Sequence, residues 1–359
     1  MPLRNVTLDQ LARWLVLLGC CLTGCTDHRL QRYDSEFLSM GTQAQLTVWA
    51  SSPAQAALIS RQVEQQLNEQ GIDWYPWTDH PEGELRQLNQ ALSAGEHFKV
   101  SASLAALLQQ AMELHIASNG YFDPAIAPMT LAWGFADSQK PAITVLPANE
   151  RLNDWKQSRP RLTDLQLHDG LVSSDRHDLQ LDLGAIAKGY ALDLAMQRLR
   201  QSGMTQASLN LGGQILLMGK TLPESTSVVT LSDPRAAEPL GKLVLQGGES
   251  ISTSGDYQRS AIVAGQRIHH LLDPHTGAPV MHTQMVTVIA GSGVLADAAS
   301  TALMAAGPAQ WQDIARAMGI REALRIDATG KIEVSTALYA RLRWSTQAIA
   351  GHSIQQITL

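Results

Sequence analysis

Two hydrophobic periods share this chain, and their arrangement limits the folds open to it. Apolar residues recur at helical spacing over Leu104, Leu107, Leu108 and Ala111, behind Ser101 and Ser103 as candidate caps. The same period returns at Leu192, Ala195, Met196 and Leu199, and again at Trp311, Ile314, Ala315 and Met318. Short β-type runs fall at 209–211, 228–231, 243–245, 261–263, 285–290 and 324–326. Helices weigh on the first half and strands on the second, which predicts an α+β fold with mixed or antiparallel sheets and packed helices. A regular βαβ alternation is not what such a pattern builds. No Gly-x-Gly-x-x-Gly follows a strand and no Walker A sequence occurs, so neither standard nucleotide fold is signalled.

The chain has 359 residues, 45% of them hydrophobic and 17% charged, which is ample for a sizeable core and excludes disordered, collagen-like and coiled-coil classes. The net charge of −6 comes with no basic block, so nucleic acid is not expected as the main partner. An acidic protein still binds an anionic cofactor where local donors or a metal supply positive charge.

All three cysteines, Cys20, Cys21 and Cys25, lie near the start, which leaves no disulfide framework, Fe–S site or Cys-ligated zinc for the rest. Arg4 and Arg13 precede the apolar stretch from Trp14 to Gly19, and Leu22-Thr23-Gly24-Cys25 follows. That layout reads as a secretory signal over residues 1–24, too short to span a bilayer. Its loss removes two Arg and one Asp and leaves a net charge of −7. Residues 25–35 then read as a polar tether and 36–359 as one folded domain, with no linker, low-complexity tract or internal repeat.

Five segments gather Gly, Asp, Thr or His where a fold alone does not ask for them. Residues 120–129 run Gly-Tyr-Phe-Asp-Pro-Ala-Ile-Ala-Pro-Met and continue to Trp133-Gly134-Phe135. Residues 181–190, Leu-Asp-Leu-Gly-Ala-Ile-Ala-Lys-Gly-Tyr, read as a strand end, a Gly turn and a helix start; such a turn aims backbone N–H groups at a phosphate. There Lys188 adds a point charge and Asp182 an acceptor for a base or ring N–H. Leu209-Asn210-Leu211-Gly212-Gly213 reads as a strand entering a Gly pair, and residues 252–257, Ser-Thr-Ser-Gly-Asp-Tyr, as a hydroxyl-rich loop. Finally, residues 269–277, His-His-Leu-Leu-Asp-Pro-His-Thr-Gly, join a strand to a turn, and Asp297 and Thr301 stand one helical turn apart. Hard oxygen donors of that kind suit Mg²⁺, which takes its remaining ligands from water and substrate phosphates. Zinc on His269, His270 and His275 matches no usual spacing.

In this order and spacing, FDP…WGF, LDLGAIAKGYALD, LNLGG, STSGDY, HHLLDPHTG and ADAASTA resemble the ApbE family, from about Met40 to about Gly307. Its members are FAD:protein FMN transferases, and the resemblance implies a single T-fold-like α+β domain. It also implies that FAD binds with Mg²⁺, its pyrophosphate is split, FMN passes to a Thr or Ser hydroxyl of an acceptor protein, and AMP leaves. Acceptors in the family are subunits of membrane redox complexes. The family's flavin contacts fall here on Met40, Tyr121, Phe122, Asp123, Asp182, Lys188 and Leu271. Its metal ligands fall on the Ala185 carbonyl, Asp297 and Thr301, and its proposed base falls on His270, whose unperturbed pKa of about 6.5 suits that task. Leu22-Thr23-Gly24-Cys25 itself resembles the bacterial lipoprotein lipobox, which implies cleavage before Cys25 and its acylation, and this fits a family many of whose members are periplasmic lipoproteins. The protein is then expected on the periplasmic face of a bacterial membrane, the inner membrane being the address adopted. Several acyl chains make a stable anchor where one is marginal. The chain departs from the family at Ala125, where many members have Thr, and before Glu84-Leu85…Leu88-Asn89, where Gly83 replaces Ser. Trp74, Tyr75 and Trp77 all remain open as flavin-stacking rings. Two other readings use the same residues: an Mg²⁺-dependent FAD pyrophosphatase releasing FMN and AMP, and a periplasmic flavin-binding lipoprotein without turnover.

Overall fold

The computed structural model describes residues 30–77, 79–136, 146–219, 227–263 and 265–359. The signal, Cys25 and the first part of the tether lie outside the described residues. Strands β1 (Gln31–Ser39) and β2 (Thr42–Ala50) form a hairpin paired from Gln31↔Ala50 to Ser39↔Thr42. Its two-residue turn places both Met40 (φ 48) and Gly41 (φ 70) in the left-handed region, as a type I′ turn requires. Residues 31–35 are thus strand rather than tether. Their polarity hides a period of two: Tyr33 and Phe37 pack on the core, and Ser35 meets Ser60 at 2.9 Å between Oγ atoms.

Seven more strands extend this hairpin: β3 (Ala207–Leu211), β4 (Gln214–Met218), β5 (Ser250–Gly255), β6 (Thr283–Ala290), β7 (Glu322–Asp327), β8 (Ile332–Ser335) and β9 (Ile354–Ile357). Among the described residues they make one nine-stranded sheet in chain order, antiparallel throughout except for the parallel pair β8–β9. Helices α1 (Pro53–Asp73), α2 (Glu84–Ala94), α3 (Ala102–Ala117), α4 (Ala187–Gln201) and α5 (Gly293–Ala317) supply the other elements that matter for the site.

Each face of the sheet carries its own apolar layer, and β6 shows why. Val286 and Val288 enter the layer that holds Leu67, Leu107, Leu192 and Leu303 of the helices. Met285 and Ile289 enter the opposite layer, with Leu243 from a small sheet of 228–231, 241–244 and 343–344. A strand buried on both faces reads as a continuous apolar run, as residues 285–290 do. A third cluster joins Met129, Trp133 and Phe135 to Trp155, Ile268 and Leu272 beside the cavity described below.

The α+β expectation holds, and the helical and β-type runs read from periodicity fall on elements of the matching type, with Met318 and Leu245 each one residue past the end of theirs. Two local expectations change. Residues 252–255 are not loop but part of β5. Ser252 and Ser254 face Ser300 of α5 at 3.3 and 2.8 Å, while Thr253 points the other way to Thr287 at 2.9 Å. Leu181–Gly184 belong to no ladder. The Asn89 side chain stands in for a neighbouring strand, Oδ1 accepting from Leu181 N–H at 2.8 Å and Nδ2 donating to Leu181 C=O at 2.9 Å.

Candidate active site

A cavity of about 650 Å³ opens where the β1–β2 turn, the turn between β3 and β4, the start of α4 and the first half of α5 meet. Its size is that of a small-molecule site. Met40, Tyr121, Phe122, Asp123, Asp182, Ala185, Lys188, His270, Leu271, Asp297 and Thr301 all line it. Segments spread over 260 positions of sequence are therefore brought to one wall.

The crossing of α4 and α5 builds the oxygen-rich part. The helices meet backbone to backbone at Gly189 and Gly293: a Cβ on Gly189 would lie 2.2 Å from the Gly293 carbonyl oxygen, and one on Gly293 2.3 Å from that of Gly189. Asp193 receives Gly293 and Val294 N–H at 2.7 and 2.9 Å, and Ser292 accepts from Leu295 N–H, so the α5 N-terminus is satisfied without Asp297. Asp297 serves the first turn of α4 instead. It is 5% exposed, and its Oδ2 accepts from Gly189 N–H at 2.9 Å. Thr301 follows one turn later, 3.3 Å from Ser254 Oγ. With the Ala185 carbonyl on the opposite turn, the wall offers carboxylate, hydroxyl and carbonyl oxygens, a donor set that fits Mg²⁺. No group of three or more His, Cys, Asp or Glu able to hold a metal occurs among the described residues.

Asp182 is held by Gly184 N–H, which donates to Oδ1 at 2.9 Å, and Lys188 Nζ reaches the Gly184 carbonyl at 3.4 Å. Burial pushes the Asp182 carboxyl above the usual range against the pull of that N–H, Arg259 and Lys188. Asp123 is likewise pushed up by burial, opposed by His115 and two backbone N–H donors. Its Oδ1 accepts from Ala125 and Leu162 N–H at 3.0 and 3.1 Å, whereas its buried Oδ2 has no partner. The Tyr121 ring lies 4.5 Å from that of His275, and its hydroxyl donates to Gln310 at 2.8 Å. Gln310 stands beyond the break in α5 at Gly307–Pro308, so both halves of that helix touch the cavity wall.

His270 Nδ1–H donates to the Arg259 carbonyl at 3.2 Å, which leaves Nε2 as the lone-pair nitrogen. Its pKa is not the unperturbed one that the sequence suggested. Burial, aided by Arg259, His269 and Lys188, lowers it to about 3, so the ring is neutral across neutral pH. The turn after it is held by two tryptophans. Trp133 Nε1–H donates to Gly277 C=O at 2.7 Å and Trp155 Nε1–H to Pro274 C=O at 2.8 Å.

Of the three candidate stacking rings, all of which line the cavity, Trp74 is only 4% exposed and packs against Tyr190, with ring centroids 5.6 Å apart, which makes it chiefly a core residue. Tyr75 and Trp77 stay at the wall, Tyr75 edge-on to His80. Sequence reasoning missed Asn89, Asp193 and Gln214. The first two stand inside segments the sequence already marks, Asn89 closing Glu84…Asn89 and Asp193 closing 181–193, without a role there, and the third is signalled only through its place after a Gly pair.

The ApbE family model matches residues 40–324. An FAD:protein FMN transferase of Rhodobacter capsulatus is 39% identical over 288 residues, which make up 80% of this chain and 53% of that protein. The chain thus spans about half the length of that relative. A Vibrio cholerae protein of the same name is 28% identical over 309 residues, 85% of this chain and 90% of its own. Among solved structures, the ApbE protein of Thermotoga maritima superposes with a TM-score of 0.77 at 25% identity, covering 87% of this chain and all of its own. The flavin transferase ApbE of Vibrio cholerae gives 0.74 at 26% identity with the same coverage.

Proposed function

The chain belongs to the ApbE family, and on that premise we propose that it is an FAD:protein FMN transferase acting on a Thr or Ser hydroxyl of an acceptor protein. The observation that carries this reading is the convergence in one cavity of an oxygen donor set, a neutral imidazole and a helix-start turn. Phosphoryl transfer asks for charge neutralisation and in-line placement more than for covalent chemistry by the protein. Mg²⁺, held by Asp297, Thr301 and the Ala185 carbonyl, would neutralise charge on the pyrophosphate.

The chain's own groups do the rest. His270 Nε2 takes the proton of the acceptor hydroxyl while its oxygen bonds to the FMN phosphorus. The anhydride bond to AMP breaks, and AMP carries off the electron pair. An imidazole with a pKa near 3 is a weak base in the empty cavity, and a pyrophosphate brings negative charge that raises it. Lys188 and the turn at Gly184 face the phosphates, and Asp123 and Asp182 offer acceptors to N–H or O–H groups of the flavin or adenosine. The proposed acceptor is a subunit of a membrane redox complex. The protein itself is proposed to stand on the periplasmic face of the membrane through acylated Cys25.

The test mixes the protein with FAD, Mg²⁺ and an acceptor domain. The expected result is a fluorescent acceptor band, the mass gain of FMN and one AMP per label. AMP and free FMN without label would replace transfer by hydrolysis, and FAD binding with no AMP would leave a carrier.

A further inference from the structure

Three side-chain acceptors in the cavity wall have no hydrogen-bond partner: Gln70 Oε1, Asp123 Oδ2 and Gln214 Oε1. Gln214 is the most tightly defined of them. It opens β4 directly after the Gly212–Gly213 turn and is 3% exposed. Its Nε2 donates to the Gly293 carbonyl at 3.0 Å, which fixes the amide so that nitrogen faces α5 and oxygen is left over. A buried amide oxygen without a donor is costly, and one kept beside a cavity is placed to meet a donor that arrives with the ligand.

Its neighbours say which part of the ligand. Gly293, which Gln214 grips, abuts Gly189, and Gly189 N–H holds Asp297 Oδ2 at 2.9 Å. Gln214 therefore stands in the cavity wall beside the oxygen donors assigned to the metal and the pyrophosphate. In FAD the groups flanking the pyrophosphate are the ribityl and ribose chains, whose hydroxyls are O–H donors. We propose that Gln214 is a substrate-binding residue whose Oε1 accepts a hydrogen bond from a sugar hydroxyl next to the pyrophosphate. The proposal rests on the transferase reading for the identity of the dinucleotide.

The test measures FAD binding by flavin fluorescence in the absence of metal, and Mn²⁺ binding by electron paramagnetic resonance in the absence of FAD. Gln214→Met removes donor and acceptor, while Gln214→Glu keeps an acceptor and alters the group facing Gly293. Thermal unfolding of each variant reports the fold. The expected result is FAD binding about tenfold weaker in Gln214→Met, near the wild-type value in Gln214→Glu, and Mn²⁺ affinity unchanged in Gln214→Met. Equal loss in the two variants would make Gln214 a brace for Gly293 and overturn the proposal. Wild-type FAD affinity in Gln214→Met, or an effect on Mn²⁺ alone, would overturn it too. Failure of the wild-type protein to bind FAD removes the transferase reading itself, which is a different result from any of these.

Discussion

Asp297 and His270 are made unusual by what surrounds them. Asp297 is buried and serves the first turn of α4 rather than its own helix, whose first N–H groups Asp193 and Ser292 already satisfy. Asp297→Asn keeps an oxygen for Gly189 N–H while removing the charge. Transfer, followed by AMP release, is expected to fall by at least ~100-fold with thermal stability little changed. Mn²⁺ binding and turnover at wild-type levels in that variant would remove Asp297 from the metal site. His270 makes a statement about pH. Its folded value of about 3 lies below the roughly 6.5 of an unfolded histidine. Between those values the unfolded chain binds a proton that the cavity refuses, so this residue makes stability rise with pH across that window and cease to depend on pH above it. Asp123 and Asp182, pushed up by burial, act in the opposite sense, so the comparison has to be made within one background. Denaturant unfolding of His270→Gln should lose less stability than wild type between pH 7 and pH 4.5. Identical losses would place the His270 pKa near its ordinary value.

At the scale of elements, the close crossing of α4 and α5 sets the site. Gly189→Ala drives a methyl group into the Gly293 carbonyl and to 2.8 Å from Asp297 Cβ, where neither backbone can yield. A cost of about 1–3 kcal/mol follows from forced separation of packed backbones. A lowered Tm together with weaker Mn²⁺ binding is the expected signature, and an unchanged Tm would mean that the helices ride further apart. This crossing marks the boundary of what sequence shows. Helices and the doubly buried β6 are legible because their periods are local and strong. The segments lining the cavity are legible because six motifs keep one order and spacing. The β1–β2 hairpin is hidden because its exposed face is polar, so overall composition outweighs a period of two. The strand-like hold of Asn89 on Leu181 and the grip of Gln214 on Gly293 join residues 92 and 79 positions apart, and no local pattern encodes a contact at that distance. That Trp74 is chiefly a core residue likewise needs Tyr190 in place.

For the whole molecule, the sheet lays its strands in chain order, with β1 at one edge and β9 at the other. No described helix is long and apolar enough to cross a membrane. The proposed attachment is through Cys25, and Cys25→Ser should move the protein from the membrane to the soluble periplasmic fraction with in vitro transfer unaltered. Retention in the membrane fraction would point to another anchor. With Cys25 as the fixed point, β1 takes on a mechanical meaning. Eight steps separate Gln31 from Ser39, and at about 3.3 Å per residue they span about 26 Å. The strand is welded to β2 along all of that length, and the cavity begins at its far end, at Met40. It is a boom rather than a leash. On the proposed attachment, that rigid span sets the reactive centre apart from the end of β1 nearest Cys25, and acceptor hydroxyls at a matching distance are the ones it can serve.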